Sequence, residues 1–123
     1  MKKTEQENRN NLKLNKPLVY NKIINNQIAP IIQLQYSFKC NFNCEHCSIK
    51  GFQHKDRRHL TPTDIKDVFD QADALGLARV TITGGEPLVF KDLDELIEAI
   101  GPERFWINLD TNCWLLTDEL AKH

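Results

Sequence analysis

Cys40, Cys44 and Cys47 lie in the run Phe38-Lys39-Cys40-Asn41-Phe42-Asn43-Cys44-Glu45-His46-Cys47. A C-x3-C-x2-C spacing offers three thiolates to one centre and leaves its remaining coordination position to something other than cysteine. A four-iron, four-sulfur cluster on three thiolates keeps one iron open to a substrate or cofactor. Zinc is the alternative, with His46, His54 or His59 as fourth ligand, although no second cysteine knuckle accompanies the first. Asn41, Asn43 and Glu45 make the run a polar loop, so three buried structural cysteines fit it poorly. Two further segments have chemical potential. Gly84-Gly85-Glu86-Pro87 follows a β-branched run, and Asp110-Thr111-Asn112 follows an aromatic-rich one.

Elements must bring those segments together, and the pattern around them supplies such elements. Ile31-Ile32-Gln33-Leu34-Gln35-Tyr36 reads as a strand feeding the cysteine loop. Thr61 is a good N-cap with Pro62 at the first helical position, and Ile65, Val68, Phe69, Ala72 and Leu75 share one helical face up to Gly76. Arg79 to Thr83 is a second strand. Asp92, with Glu95 three residues on, has the form of a capping box for a helix burying Leu93, Leu96, Ile97 and Ile100, which Gly101-Pro102 stops. Residues 105 to 109 form a third strand, and Thr117 caps a third helix that is cut off at His123.

The order β-α-β-α-β-α predicts parallel strands joined by right-handed crossovers, with all C-terminal strand ends on one face. The cysteine loop, the Gly84 to Pro87 segment and the Asp110 to Asn112 segment all leave that face, where such folds carry their chemistry. The first loop, from Ser37 to Leu60, is far longer than the usual connection of about 2–6 residues. Residues 1–30 form an N-terminal arm, its first 16 or so solvated and partly disordered by composition. From Pro17 to Pro30 the short apolar pieces Leu18-Val19-Tyr20 and Ile23-Ile24 are broken by Asn25-Asn26, read as a turn between two extended segments.

Composition excludes several classes. The chain has 123 residues, 41% hydrophobic and 27% charged, with a formal net charge of −1. That is an ordinary one-domain globular balance without the basic surplus that nucleic acid or anionic lipid requires. No stretch approaches the roughly 18 apolar residues of a membrane helix, and the charged run Met1 to Arg9 has no apolar h-region behind it, so a cytoplasmic location is expected. Four cysteines, three of them close together, argue for metal or redox chemistry rather than a secreted disulfide framework.

At Cys40, Cys44, Cys47 and Gly84-Gly85-Glu86-Pro87 the chain resembles the radical S-adenosylmethionine superfamily. Each motif alone is weak; both, in this order on successive strands, are specific. The resemblance runs over residues 31–123 and implies an α/β fold, the first three βα units of a partial (β/α)6 TIM-like barrel, apparently truncated. It implies that Cys40, Cys44 and Cys47 hold a 4Fe-4S cluster whose open iron is chelated by S-adenosylmethionine. One electron then cleaves the cofactor to a 5′-deoxyadenosyl radical, which abstracts a hydrogen atom from substrate. By the same similarity Gly84, Gly85, Glu86 and Pro87 receive the methionine ammonium group. Two glycines permit close backbone approach there, and the Glu86 carboxylate can add a charge-assisted hydrogen bond. His46 would lie near the adenine ring, and Phe42 would pack the loop against the barrel.

Thr111 and Asn112 are similar to the Thr-Asn-Gly that many members have at the third strand, with Cys113 in the glycine position. Glycine takes positive φ readily and cysteine does not, and Cys113 is expected to be a small buried hydrophobe. The style of the cysteine loop resembles members that modify peptides or proteins and carry a C-terminal auxiliary-cluster domain. A peptide or protein substrate and an electron donor such as flavodoxin or ferredoxin are the implied partners. An iron–sulfur or zinc module without catalysis is the alternative function.

Overall fold

Period-two burial makes the first strand legible: in β1 (Ile31–Ser37) Leu34 and Tyr36 are buried while Gln33 and Gln35 face solvent. In this computed structural model, which describes residues 16–25, 31–52 and 60–123, β1 pairs in parallel with β2 (Arg79–Gly84). On its other side β2 pairs in parallel with β3 (Trp106–Leu109), giving the sheet order β1-β2-β3. The register runs Ile31 to Arg79 and Arg79 to Trp106, then slips between Gln35 and Ser37, where β1 leaves the sheet opposite Gly84. Such a bulge bends the strand and re-aims the backbone beyond it. Here that backbone is the cysteine loop.

Two helices cover one face. The first crossover helix, α2 (Pro62–Ala74), starts at Thr61, whose hydroxyl accepts the Asp64 N–H at 3.2 Å while the Asp64 carboxylate accepts the Thr61 N–H at 2.8 Å. The second, α3 (Leu93–Ile100), ends at Gly101 with φ 90°. Ile65, Phe69 and Ala72 of α2 meet Val80, Ile82, Leu96, Ile100 and Phe105 in the core, with the Phe69 and Phe105 rings edge-to-face at 5.2 Å. Phe105 is consumed by this packing. Its N–H bonds Gly101 O at 3.1 Å, and β3 therefore begins one residue later than the pattern suggests.

Four expectations are corrected. Residues 16–25, read as part of an extended arm, form helix α1 (Lys16–Asn25). Weak local preference yields here to tertiary contact. Lys22 pairs with Asp73, reaches Leu77 O at 3.4 Å and Arg104 O at 3.3 Å, and lies 4.9 Å from the Phe105 ring centroid. The expected Asn25-Asn26 turn extends beyond the described residues. Val68 and Leu75 are exposed, Leu75 by 74%. On a 3.6-residue helix they lie roughly 70–90° round from the stripe of Ile65, Phe69 and Ala72.

Asp92 forms no capping bond, because its carboxylate instead accepts the buried Tyr36 hydroxyl at 2.5 Å. A buried phenol needs an acceptor, and the aspartate supplies it. The third helix is one 3-10 turn, Leu120–Lys122, with Glu119 rather than Thr117 at its N-cap; the Thr117 hydroxyl accepts the Leu120 N–H at 3.1 Å.

Candidate metal and cofactor site

The cysteine loop begins under tight control. Ser37 O accepts the Gly85 N–H and Lys39 O accepts the Glu86 N–H, both at 2.8 Å, so the β1 exit and the β2 exit run as one stitched pair. Beyond it a turn closes with the Cys47 N–H on Cys44 O at 3.3 Å, and another with the Phe52 N–H on Ile49 O at 2.8 Å. Buried Ile49 and the Phe38–Phe52 ring contact at 5.9 Å pin the far side. Cys40, Cys44 and Cys47 are half-buried and none is in a disulfide. The Phe42 N–H points at Cys40 Sγ, 3.4 Å away.

Gly84 and Gly85 explain themselves by what lies beneath them. A Cβ on Gly85 would stand 1.8 Å from Lys39 O, and one on Gly84, where φ is 117°, would stand 2.3 Å from Ser37 O. The close approach required of these glycines is therefore to the base of the cysteine loop. Pro87 is buried and opens the 3-10 turn Pro87–Val89, which Glu86 caps through the Leu88 N–H at 3.0 Å.

Glu86 is 1% exposed. Besides Leu88, its Oε1 accepts the Thr111 hydroxyl at 2.6 Å, and its Oε2 accepts the Asn112 N–H at 2.7 Å. The expected role of this carboxylate toward an ammonium group competes with three donors already in place. Thr111 in turn accepts the Cys113 N–H at 3.0 Å, and the Asn112 amide Nδ2 donates to Asn41 Oδ1 at 2.9 Å. The Phe42 and Trp114 rings meet alongside, 5.8 Å between centroids.

The structure thus joins Cys40, Cys44 and Cys47 with Gly84 to Pro87, Thr111 and Asn112 at one end of the sheet. His46 is exposed within the cysteine loop, while His54 and His59 lie outside the described residues. Cys113 is exposed rather than buried, and it adopts φ 61°, the positive value that glycine would take in this turn. Phe42 packs on Trp114 of the third loop rather than on the sheet. Asn41 and Trp114 are the members that pattern reading passed over. Asn41 counted only as polarity between cysteines, and its partner 71 residues away has no signal in spacing.

Three thiolates on one loop, none of them in a disulfide, can hold a 4Fe-4S cluster with one iron left open. A cubane offers a separate iron to each thiolate, so three sulfurs spread along one loop fit it, and a backbone N–H already aimed at Cys40 Sγ is the kind of donor that supports a ligated sulfur.

Comparison with known proteins agrees. A profile of the Radical SAM superfamily matches residues 34–123. The chain belongs to that superfamily. A probable GTP 3',8-cyclase of Methanocaldococcus jannaschii is 36% identical over 92 residues, 74% of this chain and 30% of that protein. A second, of Pyrobaculum aerophilum, is 37% identical over 84 residues, 68% of this chain and 27% of that one. The chain matches less than a third of the length of these curated relatives. Among solved structures, BtrN in complex with AdoMet and 2-DOIA superimposes with a TM-score of 0.61 at 26% identity, covering 77% of this chain and 40% of that one. Streptococcus suis SuiB bound to S-adenosylmethionine gives 0.61 at 25% identity, covering 83% of this chain and 24% of SuiB. Radical SAM proteins use a 4Fe-4S cluster and S-adenosylmethionine, and the three parallel strands here match the start of their partial barrel.

Proposed function

We propose that this chain carries the cluster-binding and part of the cofactor-binding machinery of a radical SAM enzyme, with Cys40, Cys44 and Cys47 as cluster ligands. When bound, the cluster and S-adenosylmethionine together supply a one-electron cleavage of the sulfonium C–S bond and a carbon radical for hydrogen abstraction. The observation that carries this reading is the stitching of the cysteine loop to the Gly84 to Pro87 segment by the Gly85 and Glu86 N–H groups. It places three cysteines, none of them in a disulfide, beside backbone at a strand end, where carbonyls can receive an ammonium group. His46, exposed next to Cys47, is available to an adenine ring. A flavodoxin or ferredoxin in the cytoplasm would supply the electron.

For substrate, the function of the curated relatives supports a purine nucleotide such as GTP. A matched stretch of 92 residues in a chain of 123 must contain both the cysteine loop and Gly84 to Pro87, so that likeness supports the cofactor chemistry before it supports a substrate. A peptide is the second reading, favoured by the SuiB structure with precursor peptide SuiA, a likeness of fold at 23% identity and TM-score 0.63.

The test is anaerobic reconstitution with iron and sulfide, then electron paramagnetic resonance of the reduced protein with and without S-adenosylmethionine. A signal that shifts with S-adenosylmethionine and is absent in Cys44→Ala is expected. Zinc in place of iron would overturn the proposal in favour of a structural module, and a signal indifferent to S-adenosylmethionine would favour a redox module. 5′-Deoxyadenosine formation and mass change with GTP, or with a co-expressed peptide, separate the two substrates.

A further inference from the structure

We infer that Glu86 is a positioning residue for the cysteine loop, acting through Asn112 and Asn41 on the segment that carries Cys40. What the loop holds rests on the proposed function; how the loop is held does not.

An ionised carboxylate has about four lone-pair sites. Three of them in Glu86 are taken, by the Leu88 N–H, the Thr111 hydroxyl and the Asn112 N–H, at 2.6 to 3.0 Å. With 1% of its surface exposed and three donors in place, the side chain can reorient only by releasing buried donors. A buried donor without a partner is costly, so the clamp holds.

From the clamp the path is short and directional. Asn112 has its backbone N–H on Glu86 and both ends of its side-chain amide engaged: Oδ1 accepts the Trp114 N–H at 3.0 Å, and Nδ2 therefore faces Asn41 Oδ1 at 2.9 Å. Asn41 adjoins Cys40, whose sulfur lies 3.9 Å from that same Oδ1 and accepts the Phe42 N–H at 3.4 Å. The Phe42–Trp114 ring contact runs beside this path and joins the same two loops. Below it, Lys39 O holds the Glu86 N–H, so Glu86 grips the cysteine loop at its base by backbone and at its crown by side chain.

Amide hydrogen exchange of the metal-free chain tests this without requiring any cluster. Asn112→Ala and Asn41→Ala, at exposed positions, are expected each to speed exchange across residues 40–47 about fivefold, the effect of one lost hydrogen bond on local opening. The double variant should add nothing to either single one. Glu86→Gln, which puts an amide NH2 where a carboxylate oxygen accepts, should produce at least the same change at 40–47 and a further one at 110–113. Unchanged exchange at 40–47 in both asparagine variants overturns the inference, as does a Glu86→Gln effect confined to 84–90. If Glu86→Gln loses its far-ultraviolet circular dichroism, the asparagine variants and their double decide alone. Failure of the proposed function would show separately, as iron retained by Cys44→Ala.

Discussion

Gly85 shows how a single hydrogen atom can be the whole content of a motif position. A methyl group there would sit 1.8 Å from Lys39 O, on backbone that the Gly85 and Glu86 N–H groups hold in place. Gly85→Ala is expected to part the β1 and β2 exits and to cost about 3 kcal/mol, at the upper end for overpacking, as a shift in urea midpoint. Tyr36 makes a different kind of demand. It is 8% exposed, and burial first, then the hydrogen bond and charge of Asp92, push its phenol well above the usual tyrosine value. A pKa raised on folding means the folded state favours the proton. The contribution is complete below the unfolded value of about 10 and is lost as pH rises above it. Urea unfolding at rising pH should therefore show stability falling above about pH 10, and Tyr36→Phe should remove that dependence while costing about 1 kcal/mol at neutral pH.

At the scale of elements, Lys22 ties α1 to α2 by charge. Lys22 pairs with Asp73, and Arg104 reaches Asp73 at 3.4 Å and Asp70 at 2.9 Å. The hydrogen bond from Lys22, aided by its charge and that of Arg104, holds the Asp73 carboxyl below its ordinary value. A lowered pKa gives stability that is present above the unfolded value, near 4, and lost as pH falls through the lower folded one. Acidification below about pH 4 should release α1 first, seen as faster proteolysis or hydrogen exchange in residues 16–25. Lys22→Met should expose α1 to the same extent at neutral pH. If α1 stays protected in that variant, apolar contacts hold it instead.

For the whole molecule, the sheet is covered on one face by α2 and α3 and has β1 and β3 at its edges. Trp106 of β3 is exposed, as are Trp114, Leu115, Leu116 and Leu120 beyond it in the chain, Trp114 by 73%. An unpaired edge beside apolar side chains is a template for association. Sedimentation velocity should show the 123-residue chain associating as its concentration rises, and Trp106→Lys should weaken that association. A monomer throughout would refute this, and association undiminished in Trp106→Lys would place the surface elsewhere. No helix among the described residues is long and apolar enough to cross a membrane.

The linear order determined whatever depends on near neighbours: three thiolates on one loop, strand and helix periods, the Thr61 cap, the Gly76 and Gly101 stops and the parallel alternation that brings three loops to one face. Only tertiary structure decided the features that depend on partners distant in sequence. Asp92 gave up its cap to Tyr36, residues 16–25 became a helix under the hold of Asp73, and Glu86 took Thr111 and Asn112 as hydrogen-bond partners. The physical reason is common to all three. A buried or half-buried polar group takes the nearest partner that removes its desolvation cost, and which partner is nearest is settled only when the chain has folded.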